Sequence, residues 1–527
     1  MKDLAKTRPG DALHQAARLS VRDLIDRRAA KQADDIFLIA PDSGQRLTYG
    51  GLRQAVRRVA LTIAQYGIEP GESVAYAMSN GHDALICILG MIYGGYRATA
   101  INLIAGSQTI SYVLDHSQSR LVLTEPEHLP LIEAALGEAA AGPPIVPVVK
   151  GEWLPTGSGQ ASIAPPPSPG SDGLLMYTSG TTGRPKGVVL SHANLLAGGA
   201  NTALAHELVP SDRGLCVLPL YHINGLCVSV MGSLVAGGSL VLPAKFSVSR
   251  FWDLVAAHRC SWFSVVPTQI SYLLHADGVA EKSKSPGCLR FGRSASAPLS
   301  PDVQQAFEAA FGVPIIETMG LTETAAPILS NPLAPGERRT GSPGIAFGNE
   351  VIIANDDHNE VPRGVQGEVL VRGPNVMKRY FRNPEATAEA LTAYGWLRTG
   401  DLGRMDEAGY VFITGRLKEL IIKGGENIAP REIDEALYAH PDVIEAAAFA
   451  CDCVHYGQRI EAAVSVAPSA EITESELISL CIERIGAFKA PDRIYFLPEL
   501  PKGPSGKIQR LKLAEMAAMT DPHVDSK

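Results

Sequence analysis

The chain has 527 residues, 46% of them hydrophobic, which is enough to bury large cores and, on length alone, to build about two to four domains. Its 47 basic and 55 acidic residues leave a formal charge of −8 with no run of five Lys or Arg, so nucleic acid is not an expected partner. Eight cysteines (Cys87, Cys216, Cys227, Cys260, Cys288, Cys451, Cys453, Cys481) without a CxxC pair or a His-rich cluster point to reduced thiols in a cytoplasmic protein.

The polar start, MKDLAKTRPGD, carries no apolar signal segment. From about Leu47 the pattern is α/β: Tyr49 to Tyr66 is helix-periodic, Gly67 suits a C-cap, Ser73 to Met78 is a short apolar strand, and Asp83 to Tyr93 is an apolar helix. Residues 151 to 173, rich in Pro, Gly and Ser, read as a surface connection.

Residues 177 to 189, YTSGTTGRPKGVV, combine what a polyphosphate needs. Thr178, Ser179, Thr181 and Thr182 offer hydroxyls, Gly180 and Gly183 free the backbone to turn N–H groups toward an anion, and Lys186 adds charge. This is not a Walker A loop, because Pro185 and Gly187 stand where that motif needs glycine and a metal-binding hydroxyl.

Gly214 to Ala244 holds no Asp, Glu, Lys or Arg, but Pro219, Asn224 and Gly237-Gly238 interrupt it, so a buried strand, helix and strand are expected and no membrane span. Further short strands are expected at Ser261 to Val266, Leu289 to Arg293, Val313 to Glu317, Tyr410 to Gly415 and Leu417 to Ile422, with a helix beginning near Pro430. Cys451 and Cys453 alternate in a strand-like run and are read as packing residues.

The loop at 177–189 and five later segments, ETMGLTET (317–324), GWLRTGDLG (395–403), GRLK (415–418), KGGEN (423–427) and PKGPSGKIQR (501–510), resemble in the same order the adenylate-forming superfamily of acyl-CoA synthetases, luciferases and adenylation domains. The resemblance runs from about residue 20 to residue 515 and is nearest to the oxalate-activating branch. It implies an α/β fold: a large N-terminal domain, 1–415, of αβ-layered subdomains plus a β-barrel-like subdomain, and a small mobile α+β C-terminal domain, 416–527, hinged near Lys418. It further implies an AMP-forming acyl-CoA ligase with ATP and CoA as substrates and Mg²⁺ as cofactor.

Residue by residue, the resemblance puts Thr178, Ser179, Gly180, Thr181, Thr182, Lys186, Ser296, Ala297, Glu317, Thr318 and Met319 around ATP. Thr322 would contact the α-phosphate, Glu323 would hold the metal, and Asp401 and Arg416 would take the ribose. Lys507 would enter to position the carboxylate and then leave as Gly424, Gly425 and Glu426 come to the CoA channel. Met319 departs from the aromatic usual at its position, although a thioether can still cover a purine face.

For the acid, the resemblance points to PLYHING (219–225) and GRSASAPLS (292–300). His222, Asn224, Arg293, Ser294 and Ser296 make a polar lining, which favours a small polar acid such as oxalate, malonate or a sulfonated acetate over a long alkanoate. Lys245 is a further candidate for a second anion. The oxalate-activating branch carries a histidine where Asn224 stands, so oxalate itself stays open. Alternatives are an aryl or medium-chain acid, or the loading of a carrier protein. A homodimer is also left open.

Overall fold

The computed structural model describes residues 18–137, 142–149, 162–178, 184–276, 278, 287–468, 470–503 and 507–520. Ser179, Gly180, Thr181 and Thr182 of the phosphate loop therefore lie outside the described residues.

Described strands form four sheets. The first has seven strands and a parallel centre, Arg97–Ala100, Ser73–Ala77 and Ser119–Thr124, with Asp172–Thr178 parallel beside Arg97–Ala100. Lys186–Ser191 lies antiparallel to Asp172–Thr178 and pairs Lys186 with Thr178. The edge strand Arg379–Tyr380 adds to Lys186–Ser191 with Tyr380 opposite Val188.

The second sheet has nine strands, and in its interior Arg213–Cys216, Trp262–Val265, Phe291–Ser294 and the start of Ile315–Leu321 run parallel. Parallel strands are covered on both faces, which explains their near-continuous apolar character. Leu215, Phe263, Val265 and Ile315 are buried with Phe251, Phe307 and Phe311 in one cluster. The charge-free stretch from Gly214 folds inward as expected. Strand Arg213–Cys216 leads to a π-helical run, Asn224–Met231, which continues as the helix Gly232–Ala236 before the strand Ser239–Val241. Only glycine fits at 225, because a Cβ there would lie 2.3 Å from the Pro219 carbonyl oxygen.

Where a β-barrel-like subdomain was expected, the described strands Glu350–Ala354, Gly367–Arg372, Leu397–Met405 and Val411–Arg416 form an open four-stranded antiparallel sheet whose two edge strands do not pair with each other. The last sheet belongs to the small C-terminal domain, where Gly457–Val466 lies between Val443–Cys453 and Ile421–Lys423 and is also joined by Arg493–Phe496. This sheet has its own buried cluster, including Ile421, Ile433, Leu437, Ile460 and Val464. Cys451 and Cys453 are half-buried in the strand Val443–Cys453.

One element differs from expectation. Leu417 to Ile422 is not a continuous strand but a 3-10 turn, Leu417–Glu419, followed by the strand Ile421–Lys423. The turn carries the chain from one sheet to the next, and Lys418 and Glu419 face the cleft between them, so apolar alternation there reflects a crossing.

Candidate active site

A cleft of about 940 Å³ opens beyond the carboxyl ends of the parallel strands, the usual place for a ligand in an open α/β sheet. A second cavity of about 240 Å³ adjoins it and shares Ser296, Gly320, Leu321, Arg416 and Glu419.

Thr178, Lys186, His222, Asn224, Arg293, Ser296, Thr322, Glu323, Arg416 and Lys418 all line the larger cleft. Ala297, Glu317, Thr318, Met319, Asp401 and Lys507 line the smaller one. Residues expected at one site from segments more than 300 positions apart are thus brought together. Five expected residues among those described line neither cavity. The Ser294 side chain is buried and lines neither cavity, since it alternates with Arg293 along its strand. Lys245 is exposed in the loop after Ser239–Val241, away from both cavities. Gly424, Gly425 and Glu426 form an exposed turn, with φ of +60° and +85° at the two glycines, and line neither cavity.

Antiparallel pairing sets Asp401 opposite Arg416, and Arg416 Nε donates to Asp401 Oδ1 at 2.6 Å. Burial works against the guanidinium's charge, but Asp401, Glu419 and Glu323 outweigh it and hold the pKa above its ordinary value. Lys507 Nζ donates to Glu419 Oε1 at 3.1 Å. Burial and then Arg416 lower the Lys507 pKa, while Glu419 and Asp401 oppose the shift. Glu419 itself stays below the usual carboxylate range, because Lys507, Arg510 and Arg416 together overcome its desolvation. Three cations, Lys507, Arg416 and Arg510, and two carboxylates, Asp401 and Glu419, therefore meet where the two domains face each other.

At the end of the cleft where phosphate was expected, Glu323 sits on the 3-10 turn Thr322–Thr324, and its backbone oxygen accepts from Met377 N at 2.7 Å. Its Oε1 accepts the Tyr380 hydroxyl at 2.7 Å, while Lys186 Nζ lies 5.1 Å from the Tyr380 ring centroid. A hard carboxylate oxygen is a suitable Mg²⁺ ligand. Glu317 is buried; its Oε1 accepts Leu299 N at 3.1 Å and its Oε2 has no partner, leaving an acceptor in the smaller cavity, and burial raises its pKa.

The opposite end of the cleft is built on Arg293. Nη1 donates to Asn224 Oδ1 at 2.7 Å and to Ser264 Oγ at 3.0 Å, and Nε has no partner. No carboxylate pairs with it among the described residues, and burial pulls its pKa down to about 9, so it remains a cation at neutral pH. Asn224 Nδ2 donates to Ser296 Oγ at 3.3 Å. His222 Nδ1 accepts from Asn224 N at 3.3 Å, and burial lowers the imidazole to about 4, leaving it neutral. Sequence reasoning missed Ser264, Tyr380 and Glu419. Ser264 lies in an apolar strand segment with no charge to mark it, Tyr380 lies in the basic run Lys378-Arg379-Tyr380-Phe381-Arg382, whose charges were the available signal, and Glu419 follows directly on the GRLK segment, where its charge was the available signal.

The AMP-binding enzyme family model matches residues 25–381, and the AMP-binding enzyme C-terminal domain matches 432–507. The chain is 47% identical to a sulfoacetate–CoA ligase of Cupriavidus necator over 94% of its own length and 97% of the relative's. It is 35% identical to an oxalate–CoA ligase of Arabidopsis thaliana, covering 92% of this chain and 96% of that one. It also superposes on the ATP-bound crystal structure of MatB from Rhodopseudomonas palustris with a TM-score of 0.85 at 30% identity, over 94% and 99% of the two chains.

Proposed function

The chain belongs to the AMP-binding enzyme family and is an AMP-forming acyl-CoA ligase, and from that premise we propose that it activates a small carboxylic acid carrying a second anionic group, of the sulfoacetate, malonate or oxalate kind. The observation that carries this reading is Arg293, a buried guanidinium on the cleft with no carboxylate partner among the described residues. A buried charge without a counter-charge is costly, and a substrate anion would supply one. An alkanoate would instead bury methylenes against Arg293, Asn224 and Ser296, which is unfavourable. The sulfoacetate–CoA ligase relative supports the same reading.

In the first half-reaction a carboxylate oxygen of the acid bonds to the α-phosphorus of ATP, and the bond to the pyrophosphate oxygen breaks. In the second, the CoA sulfur bonds to the acyl carbon and AMP leaves. Lys507 meets the carboxylate and α-phosphate in the first step, where both reactants are anions and charge must be neutralised. Thr322 hydrogen-bonds the α-phosphate, Asp401 accepts the ribose hydroxyls, and Thr178, Ser179, Gly180, Thr181, Thr182 and Lys186 hold the outer phosphates. Glu317, Thr318, Met319, Ser296 and Ala297 enclose the adenine. Glu323 would hold Mg²⁺, which supplies charge neutralisation on the phosphates when bound. Neutral His222 borders the acid and, with Asn224, holds the pocket's polar face.

The separation of Lys507, beside Asp401 and Arg416, from the exposed Gly424–Glu426 turn supports a two-position cycle hinged near Lys418 between residues 1–415 and 416–527. The described arrangement is the one for adenylate formation, and rotation would bring the glycine turn to CoA. The test is pyrophosphate release across sulfoacetate, malonate, oxalate, acetate, benzoate and octanoate. Preference for the dianions by tenfold or more in kcat/KM, on the order of one hydrogen bond to a charged group, is expected. Preference for octanoate or benzoate would overturn the proposal.

A further inference from the structure

Lys186 and Glu323 carry opposite charges on the same cleft and yet form no ion pair with each other among the described residues. The residue touching both is Tyr380. Its hydroxyl donates to Glu323 Oε1 at 2.7 Å and its ring lies under Lys186 Nζ at 5.1 Å. The ring is buried at the cleft wall and anchored twice by its backbone: the edge strand pairs Tyr380 with Val188, two residues from Lys186, and Tyr380 N donates to Thr387 Oγ1 at 3.0 Å.

We propose that Tyr380 is a positioning residue that keeps Lys186 and Glu323 from neutralising each other and fixes the Glu323 carboxylate so that its second oxygen is free for the metal of the bound nucleotide. An aromatic face holds an ammonium by its quadrupole without taking a proton or a hydrogen bond from it, so Lys186 keeps its donors for phosphate. The hydroxyl occupies one carboxylate oxygen and thereby selects one rotamer of Glu323. Without the ring, direct pairing of Lys186 with Glu323 would remove a phosphate donor and a metal ligand together. The inference rests on the reading of this wall as the phosphate and metal side of an ATP site.

Two variants separate the parts of the idea. Tyr380→Phe keeps the ring and removes the donor; Tyr380→Leu removes both. Calorimetric binding of ATP with Mg²⁺ and without it, and the Mg²⁺ concentration for half-maximal pyrophosphate release, are measured together with thioester formation from a supplied acyl adenylate. Tyr380→Phe should weaken Mg²⁺-ATP binding by about 3- to 10-fold, on the scale of one lost hydrogen bond, and raise the Mg²⁺ requirement. Metal-free ATP binding and the thioester step should stay within about twofold, inside the scatter of a neutral change. Tyr380→Leu should weaken metal-free ATP binding as well.

Unchanged Mg²⁺-ATP binding in Tyr380→Phe overturns the inference. So does an equal loss with and without metal, which would mark a purely structural role. Loss of the thioester step in both variants would also overturn it, as a sign of general damage. If the wild-type enzyme itself bound no Mg²⁺-ATP, the reading of the site would have failed rather than the role of Tyr380.

Discussion

The Tyr272 hydroxyl donates to Glu445 Oε1 at 2.8 Å, joining a helix of the large domain, Pro267–Leu274, to a strand of the small one, Val443–Cys453. Glu445 is fully buried; Lys502 Nζ lies 2.8 Å from the same oxygen, and Leu500 N donates to the other at 3.1 Å. Lys502 Nζ also reaches the Tyr272 oxygen at 2.7 Å, so the three side chains close a triangle. Glu445, Leu500 and Lys502 travel together in any rotation of the small domain, and Tyr272 does not. Tyr272→Phe should therefore slow ATP–pyrophosphate exchange by about 3- to 10-fold, as for one lost hydrogen bond to a charged group, and leave thioester formation from supplied acyl adenylate unchanged or faster. Equal slowing of both half-reactions would show that the contact does not bias the domain position.

Lys507 is held by Glu419 at 3.1 Å beside the Asp401–Arg416 pair, the position proposed for the first half-reaction. Replacing it with alanine should reduce adenylate formation by about 100-fold or more, the scale of losing one preorganised charge in an active site. Thioester formation from supplied adenylate should change by less than about fivefold, within the range of a neutral substitution. Rapid-quench measurement of the two steps separately decides the point.

Arg293→Met removes the proposed counter-charge while keeping a long side chain. The kcat/KM for a dianionic acid should fall by about 10- to 100-fold, while that for acetate changes little or rises. Because Met removes a buried charge and leaves Asn224 and Ser264 to each other, thermal stability should hold or increase. A parallel fall for acetate and sulfoacetate would place Arg293 in the scaffold instead.

Two buried histidines, His192 and His206, and the half-buried His222 set the acid side of the stability profile. Burial lowers His192 and His222 to about 4 and His206 well below its ordinary value, and neither ring nitrogen of His206 has a partner. Below about pH 6.5 the unfolded chain takes up these protons and the folded one does not, so stability is lost as pH falls from 6.5 toward 4. Each site steepens the slope by about 1.4 kcal/mol per pH unit in that window. Urea melts at pH 7, 6 and 5 should show the decline, and His206→Leu should flatten it.

Lys186, Thr322, Glu323, Asp401, Arg416 and Lys507 were singled out by residue type in a fixed order along the chain, and the structure brings them to two adjoining cavities. The helix from Tyr49 and the buried stretch from Gly214 were legible as well, because periodicity and the absence of charge are local properties. Tyr380, Glu419, Ser264 and the Tyr272–Glu445 contact were not legible, since each acts through a partner between 40 and 173 positions away or across a change of sheet. The crossing at Leu417–Glu419 was misread as strand because a turn between sheets and a strand can share the same apolar alternation.

Composition and motif order alone determined that the protein makes an adenylate, because phosphate, ribose and metal chemistry leave little freedom in residue type. The polar lining at His222, Asn224 and Arg293 was also read from the sequence, but the missing counter-charge at Arg293 was decided in three dimensions. Arginine, asparagine and serine are ordinary residues on a sequence, and only packing strand Phe291–Ser294 against Ser264 and the π-helical Asn224 buries the Arg293 charge without a counter-charge. Desolvation is a property of the surroundings, and the surroundings exist only once the chain is folded.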